Sequence, residues 1–178
     1  METIEIKEKK FSLFINEFEI QLAISKMATK MNQELAEKNP LFICVLNGAF
    51  MFASDLMKKI KIPCEICFVR YASYDGLETT GTVKELMGIH SNISGRNVVV
   101  LEDIVDTGIT MTHLLSLLKN KSIAEIKVAS LLLKPEALQC EVQLDYVGIE
   151  IPNNFIVGYG LDYDGYGRNF KDIYTIVE

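Results

Sequence analysis

The stretch that most constrains this chain is Val98–Thr112, where four consecutive aliphatic residues run into three acids and a turn rich in threonine and glycine. Val98 to Leu101 suit a strand covered on both faces, as in a parallel sheet between helical layers. The strand is expected to end at Glu102-Asp103, with a turn through Asp106-Thr107-Gly108-Ile109-Thr110 and then a helix carrying Leu114, Leu117 and Leu118 on one face. Free amide groups at the helix start and the hydroxyls of Thr107 and Thr110 converge where a phosphate could sit, and Gly108 lets the backbone approach closely. The carboxyl end of a buried strand is where open α/β sheets bind ligands. No Gly-Lys-Ser/Thr closes the turn and no Gly-x-Gly-x-x-Gly appears, so ATP hydrolysis and hydride transfer lose support. Taken singly, Glu102-Asp103 reads more readily as a solvated strand end, and Asp106 or Thr107 as a helix cap; three acids together with Thr-Gly-x-Thr shift the balance toward a ligand turn.

Around this segment strand and helix patterns alternate. Asn16-Glu17-Phe18-Glu19 is a capping signal, and Ile20, Ile24, Met27, Met31 and Leu35 form one helical stripe closed by Pro40. Leu41–Leu46 reads as a buried strand, and Phe50, Met51, Ala53, Leu56 and Met57 predict a second helix after Gly48. Ile66–Ala72 reads as a strand, Ser73–Thr82 as a long polar loop of the lid type, and Val83–Ile89 as a return strand. Further strands are expected at Ile126–Leu133, Tyr146–Ile149, Phe155–Tyr159 and Ile173–Val177. No linker or repeat interrupts the pattern. The expected fold is α/β, a twisted and mostly parallel sheet flanked by helices, as one domain over 1–178.

Composition removes several classes. A hydrophobic share of 49% with 24% charged residues argues against intrinsic disorder. Apolar runs such as Leu41–Leu46 are far short of the roughly 18 residues a membrane helix needs, and Met1–Lys10 lacks a signal-peptide core, so a cytoplasmic protein without a membrane partner is expected. The net charge is −6, and residues 141–178 carry seven acids against Arg168 and Lys171, which disfavours nucleic acid as a partner. An acidic protein with a phosphate ligand calls for a bridging divalent metal. Cys44, Cys64, Cys67 and Cys140 read as reduced and mostly buried. Cys64-x-x-Cys67 has metal spacing but no second pair, and only His90 and His113 accompany it, so no zinc site is expected.

Val98-Val99-Val100-Leu101-Glu102-Asp103-Ile104-Val105-Asp106-Thr107-Gly108-Ile109-Thr110 resembles the phosphoribosyl-pyrophosphate motif of type I phosphoribosyltransferases, in the form found in hypoxanthine-guanine phosphoribosyltransferases. The resemblance continues through Leu46-Asn47-Gly48, Ser73-Tyr74, Ala129–Lys134 and Val147–Arg168, most of the chain. It implies a sheet domain with a small hood from the N- and C-terminal segments, and assembly as a homodimer or homotetramer. It implies purine salvage: hypoxanthine and guanine displace pyrophosphate from phosphoribosyl pyrophosphate, with Mg2+ as cofactor. Such a reaction passes through a ribosyl oxocarbenium-like transition state. It needs a phosphate anchor, carboxylates at the ribose, metal on the leaving group and a proton relay at the base.

Position by position, the resemblance assigns Asp106, Thr107, Gly108, Ile109 and Thr110 to the 5'-phosphate, and Glu102 and Asp103 to the ribose hydroxyls and to metal. Asp106 corresponds to the proton shuttle near purine N7, although a helix cap is compatible with the same residue. Lys134 matches the lysine that donates to the 6-oxo oxygen, a donor that penalises adenine; without the resemblance it is equally an exposed strand-end lysine. Phe155 matches the aromatic that stacks on the purine and Ile156 a position whose backbone meets the ring edge, while Phe155 alone reads as core. Asp162 matches a metal carboxylate acting through water, and Arg168 a pyrophosphate contact. Asn47 and Gly48 match a pyrophosphate-binding turn, often with a non-proline cis peptide, and Ser73 and Tyr74 a lid closing over the reacting centre.

The chain departs from the family pattern at Asn47 and Asn154, where many or some relatives carry lysine, and at Ile109, where some carry a basic residue. Asp162-Tyr163-Asp164-Gly165 is superficially phosphatase-like, and its late position fits the transferase match better. Two alternatives stand beside the purine-salvage enzyme: a phosphoribosyltransferase-like regulator that binds the sugar phosphate and RNA, and a xanthine-preferring enzyme.

Overall fold

Apolar runs without polar interruption and runs that alternate with charge go to different sheets in this protein. The computed structural model describes residues 2–72, 84–87 and 92–177. In chain order these form β1 (Thr3–Ile6), β2 (Lys9–Ile15), α1 (Glu17–Glu34), β3 (Leu41–Leu46), α2 (Phe50–Met57), β4 (Glu65–Ala72), β5 (Lys84–Met87), β6 (Asn97–Val105), α3 (Ile109–Lys119), β7 (Glu125–Leu133), a 3-10 turn (Pro135–Ala137), β8 (Tyr146–Glu150), β9 (Ile156–Val157) and β10 (Ile173–Ile176).

The larger sheet has the order β5-β4-β3-β6-β7-β8. Every pairing in it is parallel except that of β5 with β4. Its central strands are buried on both faces, which is why they read as unbroken hydrophobic runs. Phe42, Cys44, Val99 and Leu101 turn to the layer shared with α1 and α2. Leu41, Ile43, Val98 and Val100 turn to the layer shared with Met111, Leu114 and Leu118 of α3. Each large aliphatic or aromatic side chain fully buried in these layers contributes roughly 1.5–3 kcal/mol.

Helix α1 starts where its sequence says it should. Asn16 Oδ1 accepts from the Glu19 amide and the Glu19 carboxylate accepts from the Asn16 amide, a closed capping box. Ile20, Ile24, Met27, Met31 and Leu35 are all buried. The stripe of α3 differs from expectation: Leu117 is 37% exposed, and Met111 takes its place with Leu114 and Leu118.

The smaller sheet is antiparallel, in the order β1-β2-β10-β9. Its own core is Ile6, Phe11, Val157 and Tyr174. Ile15, Ile156 and Ile173 join it to the main core, so the two sheets share a continuous apolar seam. The β1–β2 hairpin has no counterpart in the sequence reading. Its charged residues lie at the surface while Ile6, Phe11 and Ile15 turn inward, and Lys7 takes a left-handed φ of 53° in the turn.

Most other strand ends shift by a residue or so, and two boundaries bear on the site. β6 does not end at Glu102-Asp103 but runs on to Val105, because β7 continues the ladder: Glu102 pairs with Ser130, Ile104 with Leu132 and Val105 with Leu133. The Phe155–Tyr159 strand contracts to Ile156–Val157, since Gly158, Tyr159 and Gly160 all take positive φ. Of the cysteines, only Cys44 is buried; Cys64, Cys67 and Cys140 are half-buried, and all four are free thiols. Cys64 and Cys67 pack into different core layers.

Candidate active site

Strand β6 lies between β3 and β7, and its carboxyl end, paired with β7 alone among the described residues, carries two acids: Asp103 is buried and Glu102 is half-buried with one oxygen shielded from water. Asp103 is 8% exposed. Its Oδ1 accepts from the Ile104 amide at 2.9 Å. Glu102 Oε2 is buried with no hydrogen-bond partner. Burial pushes the Glu102 carboxyl well above the ordinary range, and the Asp103 charge beside it adds to this. Burial also raises Asp103, outweighing the opposing pull of the Glu102 carboxyl, the Ile104 amide and the Arg168 guanidinium.

Gly48 follows β3 and leaves room for this pair: a Cβ at position 48 would overlap the Asp103 carboxylate. A Cβ at Gly160 would in turn overlap the Gly48 carbonyl oxygen. Asp103, Gly48 and Gly160 therefore form a close stack that admits no side chain at either glycine. The Leu46–Asn47 peptide bond preceding it is cis, and Asn47 itself is exposed.

After Val105 the chain makes the turn that leads into α3. The N-cap is Gly108, at φ 81°, with no side-chain capping bond, so neither Asp106 nor Thr107 serves as the N-cap. Thr107 Oγ1 makes a long 3.4 Å contact with the Ile109 amide. The Thr107 carbonyl accepts from the Gln139 and Cys140 amides at 2.9 and 3.3 Å, which pins the turn from behind. The first turn of α3 thus carries no N-cap side chain over its amides, as an anion-binding helix start requires. Ile109 and Thr110 are exposed beside them.

Lys134 directly follows β7, and its amide donates to the Val105 carbonyl at 3.0 Å. This brings its side chain, 9% exposed, to the turn, where Nζ lies 2.8 Å from Asp106 Oδ2. Asp106 is the more open partner, at 44%.

The segment from Phe155 to Arg168 supplies the remaining residues. Phe155 is exposed, with its ring edge-on to Tyr163 at 5.9 Å and tilted against Phe11 at 6.3 Å. Ile156 is buried in β9, paired with Thr175. Arg168 Nη1 donates to the Gly160 carbonyl at 2.7 Å, and Nη2 lies 2.6 Å from Asp162 Oδ1. Asp162 Oδ2 accepts from the Gly165 amide at 2.7 Å. Ser73 and Tyr74, and the expected lid with them, lie outside the described residues.

The chemistry of the acid pair suits magnesium. An orphaned carboxylate oxygen beside a second buried carboxyl is a donor set for a hard cation, whose charge would offset the cost of ionising both away from water. Among the described residues no three acidic, histidine or cysteine side chains close a cage. Magnesium does not need one, because it takes one or two carboxylates and completes its shell with water and substrate phosphate.

Sequence reasoning missed the residues that hold this site from outside. Tyr159 and Asp55 are joined by a 2.6 Å hydrogen bond, and the β1–β2 turn meets the 162–166 loop through Lys7 with Asp164 and Glu8 with Tyr163. A tyrosine between two glycines was the available signal for the first; the charge-rich start of the chain offered none for the second.

A family model described as a phosphoribosyl transferase domain matches residues 16–164. The chain is 38% identical over 173 residues to the hypoxanthine-guanine phosphoribosyltransferase of Streptococcus thermophilus, an alignment covering 97% of this chain and 96% of that one. Among solved structures, the hypoxanthine phosphoribosyltransferase of Staphylococcus aureus superposes with a TM-score of 0.89 at 32% identity, covering 93% of this chain and 91% of that one. A hypoxanthine-guanine phosphoribosyltransferase of Bacillus anthracis superposes with a TM-score of 0.87 at 36% identity, covering 94% and 97%.

Proposed function

The chain belongs to the hypoxanthine-guanine phosphoribosyltransferases within the phosphoribosyltransferase family, and from that premise we propose that it converts hypoxanthine and guanine, with 5-phosphoribosyl 1-pyrophosphate, to IMP and GMP with release of pyrophosphate. The observation that supports this most is the pairing of Lys134 with Asp106 at the mouth of an uncapped helix start. A cation and a carboxylate suited to a 6-oxopurine, beside amides suited to a phosphate, support this reading.

In this reading the amides of 107–110 and the hydroxyls of Thr107 and Thr110 hold the 5'-phosphate. Glu102 and Asp103 accept from the ribose hydroxyls, and their charge favours the oxocarbenium character that develops at C1. Asp106 carries the proton at purine N7. Lys134 donates to the 6-oxo oxygen, and an adenine amino group would leave that donor unpaired. Phe155 stacks on the ring and the Ile156 backbone meets its edge. Asn47 and Gly48, with Arg168, take the pyrophosphate through amides and guanidinium, and Ser73 and Tyr74 close over the centre. Glu102, Asp103 and, through water, Asp162 would hold Mg2+, whose charge offsets that of the leaving pyrophosphate.

The chain is read as one catalytic domain working in the cytoplasm as a homodimer or homotetramer, without nucleic-acid or membrane partners. No helix of the described residues is long and apolar enough to cross a membrane. The test mixes purified protein, magnesium and phosphoribosyl pyrophosphate with hypoxanthine, guanine, xanthine or adenine and follows nucleotide formation. Turnover with hypoxanthine and guanine but not adenine is expected. Binding of the sugar phosphate without turnover of any base would move the assignment to a regulatory protein, and a clear preference for xanthine to the third substrate class.

A further inference from the structure

We propose that Asp55 is a positioning residue that holds the two pyrophosphate-side segments, 46–49 and 160–168, in register through the hydroxyl of Tyr159. This assignment rests on the pyrophosphate chemistry proposed above.

Asp55 lies on α2, the helix that begins at Phe50 directly after the Asn47-Gly48 turn, so it moves as one body with that turn. Its Oδ2 accepts from the Tyr159 hydroxyl at 2.6 Å and from Gln21 Nε2 of α1 at 2.6 Å. Its Oδ1 accepts from Lys58 Nζ at 2.9 Å. One carboxylate thus joins both helices that flank this face of the sheet to the loop after β9.

That loop is bonded within its own segment, the Tyr159 amide to the Phe170 carbonyl at 2.9 Å and the Gly160 amide to the Arg168 carbonyl at 3.0 Å, and these bonds do not tie it to the Gly48 turn. Gly158, Tyr159 and Gly160 take φ values of 105°, 49° and 97°, a positive-φ run that regular strand pairing does not support. A tyrosine in the left-handed region is strained and persists only where its surroundings over-determine it. Tyr159 is 2% exposed, so its side chain is the fixed point, and the hydroxyl ends on Asp55. The next residue, Gly160, packs against the Gly48 carbonyl too closely for any Cβ and receives Arg168 Nη1 on its own carbonyl at 2.7 Å.

The segments therefore meet backbone against backbone at Gly48 and Gly160, and the elements that adjoin them meet side chain to side chain at Asp55 and Tyr159. Loss of the second contact leaves the Gly160 carbonyl, and with it Arg168, free to shift relative to the Gly48 turn.

The experiment compares Tyr159→Phe, Asp55→Asn and Gln21→Leu with the unaltered protein. It measures the KM of phosphoribosyl pyrophosphate, the KM of hypoxanthine, kcat, and the Kd of magnesium pyrophosphate by calorimetry. Tyr159→Phe removes only the hydroxyl and should raise both pyrophosphate-side constants roughly ten-fold, the worth of one hydrogen bond to a charged group, with the hypoxanthine KM within about two-fold. Asp55→Asn keeps an acceptor for that hydroxyl and should show a smaller loss of the same kind. Gln21→Leu removes a second donor to the same oxygen and leaves the Tyr159 hydroxyl in place, so it should raise the pyrophosphate constants less than Tyr159→Phe does.

The assignment is overturned if Tyr159→Phe binds magnesium pyrophosphate like the unaltered protein, if Gln21→Leu loses as much as Tyr159→Phe, or if the loss falls equally on hypoxanthine. An unaltered protein that binds magnesium pyrophosphate without turnover would remove the proposed reaction while the Kd series still decides the role of Asp55. One that does not bind it would overturn both.

Discussion

Lys134 Nζ lies 2.8 Å from Asp106 Oδ2, so the cation proposed to read the purine's 6-oxo oxygen and the carboxylate proposed to work at N7 hold each other in the free protein. Entry of the base would exchange this mutual contact for two contacts with substrate. Asp106→Asn keeps the shape and removes the proton acceptor. It should lower kcat by about 10²–10⁴-fold, with the Kd of phosphoribosyl pyrophosphate little changed. Steady-state kinetics with a parallel binding titration check this, and an unchanged kcat would reject the proton-relay role.

The buried acid pair predicts a conflict between stability and activity. Glu102→Gln removes a charge that burial disfavours and whose Oε2 has no partner. The variant should unfold at a temperature several degrees higher, a gain on the order of 1–3 kcal/mol, while kcat/KM falls about 10²-fold. Both carboxyls are raised in the fold, so the stability they contribute is present below the ordinary carboxylate range and is lost as pH rises through their folded values. Melting temperatures measured across that rise in pH should fall less steeply for the variant than for the unaltered protein.

Asp55 works in the opposite direction. Burial pushes its carboxyl up, but the bonds from Tyr159, Lys58 and Gln21 together outweigh this and hold it below the ordinary value. Its contribution to stability is therefore present above the ordinary aspartate range and is lost as pH falls through the folded value. Asp55→Asn should flatten the acid limb of a stability–pH curve measured by urea unfolding. An acid limb identical to that of the unaltered protein would remove Asp55 from the account.

Gly48 is predicted to accept no substitution. In Gly48→Ala the new methyl overlaps the Asp103 carboxylate, so that side chain or the turn must move. Overpacking of this kind costs about 1–3 kcal/mol, and displacement of Asp103 should lower kcat/KM by more than the fall in melting temperature would suggest. Comparing the variant's melting curve with its kinetics at a temperature where it remains folded separates the two effects.

The larger sheet was legible in the sequence because its central strands are covered on both sides. Leu41–Leu46 and Val98–Leu101 have no polar face to confuse with an amphipathic helix. The capping box at Asn16 was legible because it is local, closed within four residues. What stayed hidden depends on partners distant in the chain. The continuation of β6 through Glu102 and Asp103 comes from its ladder with β7, not from its own residues. The β1–β2 hairpin has half-exposed, charge-rich strands whose inward residues, Ile6 and Phe11, find their core in Val157 and Tyr174. The bond between Asp55 and Tyr159 spans 104 positions and leaves no local trace.

The order of strands in the smaller sheet has a consequence for synthesis. Among the described residues β2 sits between β1 and β10, and β9 pairs with β10 alone. A chain emerging from the ribosome exposes β2 early, with one edge unpaired until Ile173–Ile176 has been made. Unpaired edges invite wrong partners during that interval. Lys9 and Lys10 at the start of β2 put charge on the waiting strand, a feature that discourages such pairing. Phe155 and Ile156, proposed to meet the purine, are then anchored last, when Thr175 and Ile176 donate to the Phe155 carbonyl, so on that proposal catalytic competence would arrive with β10 rather than with the larger sheet.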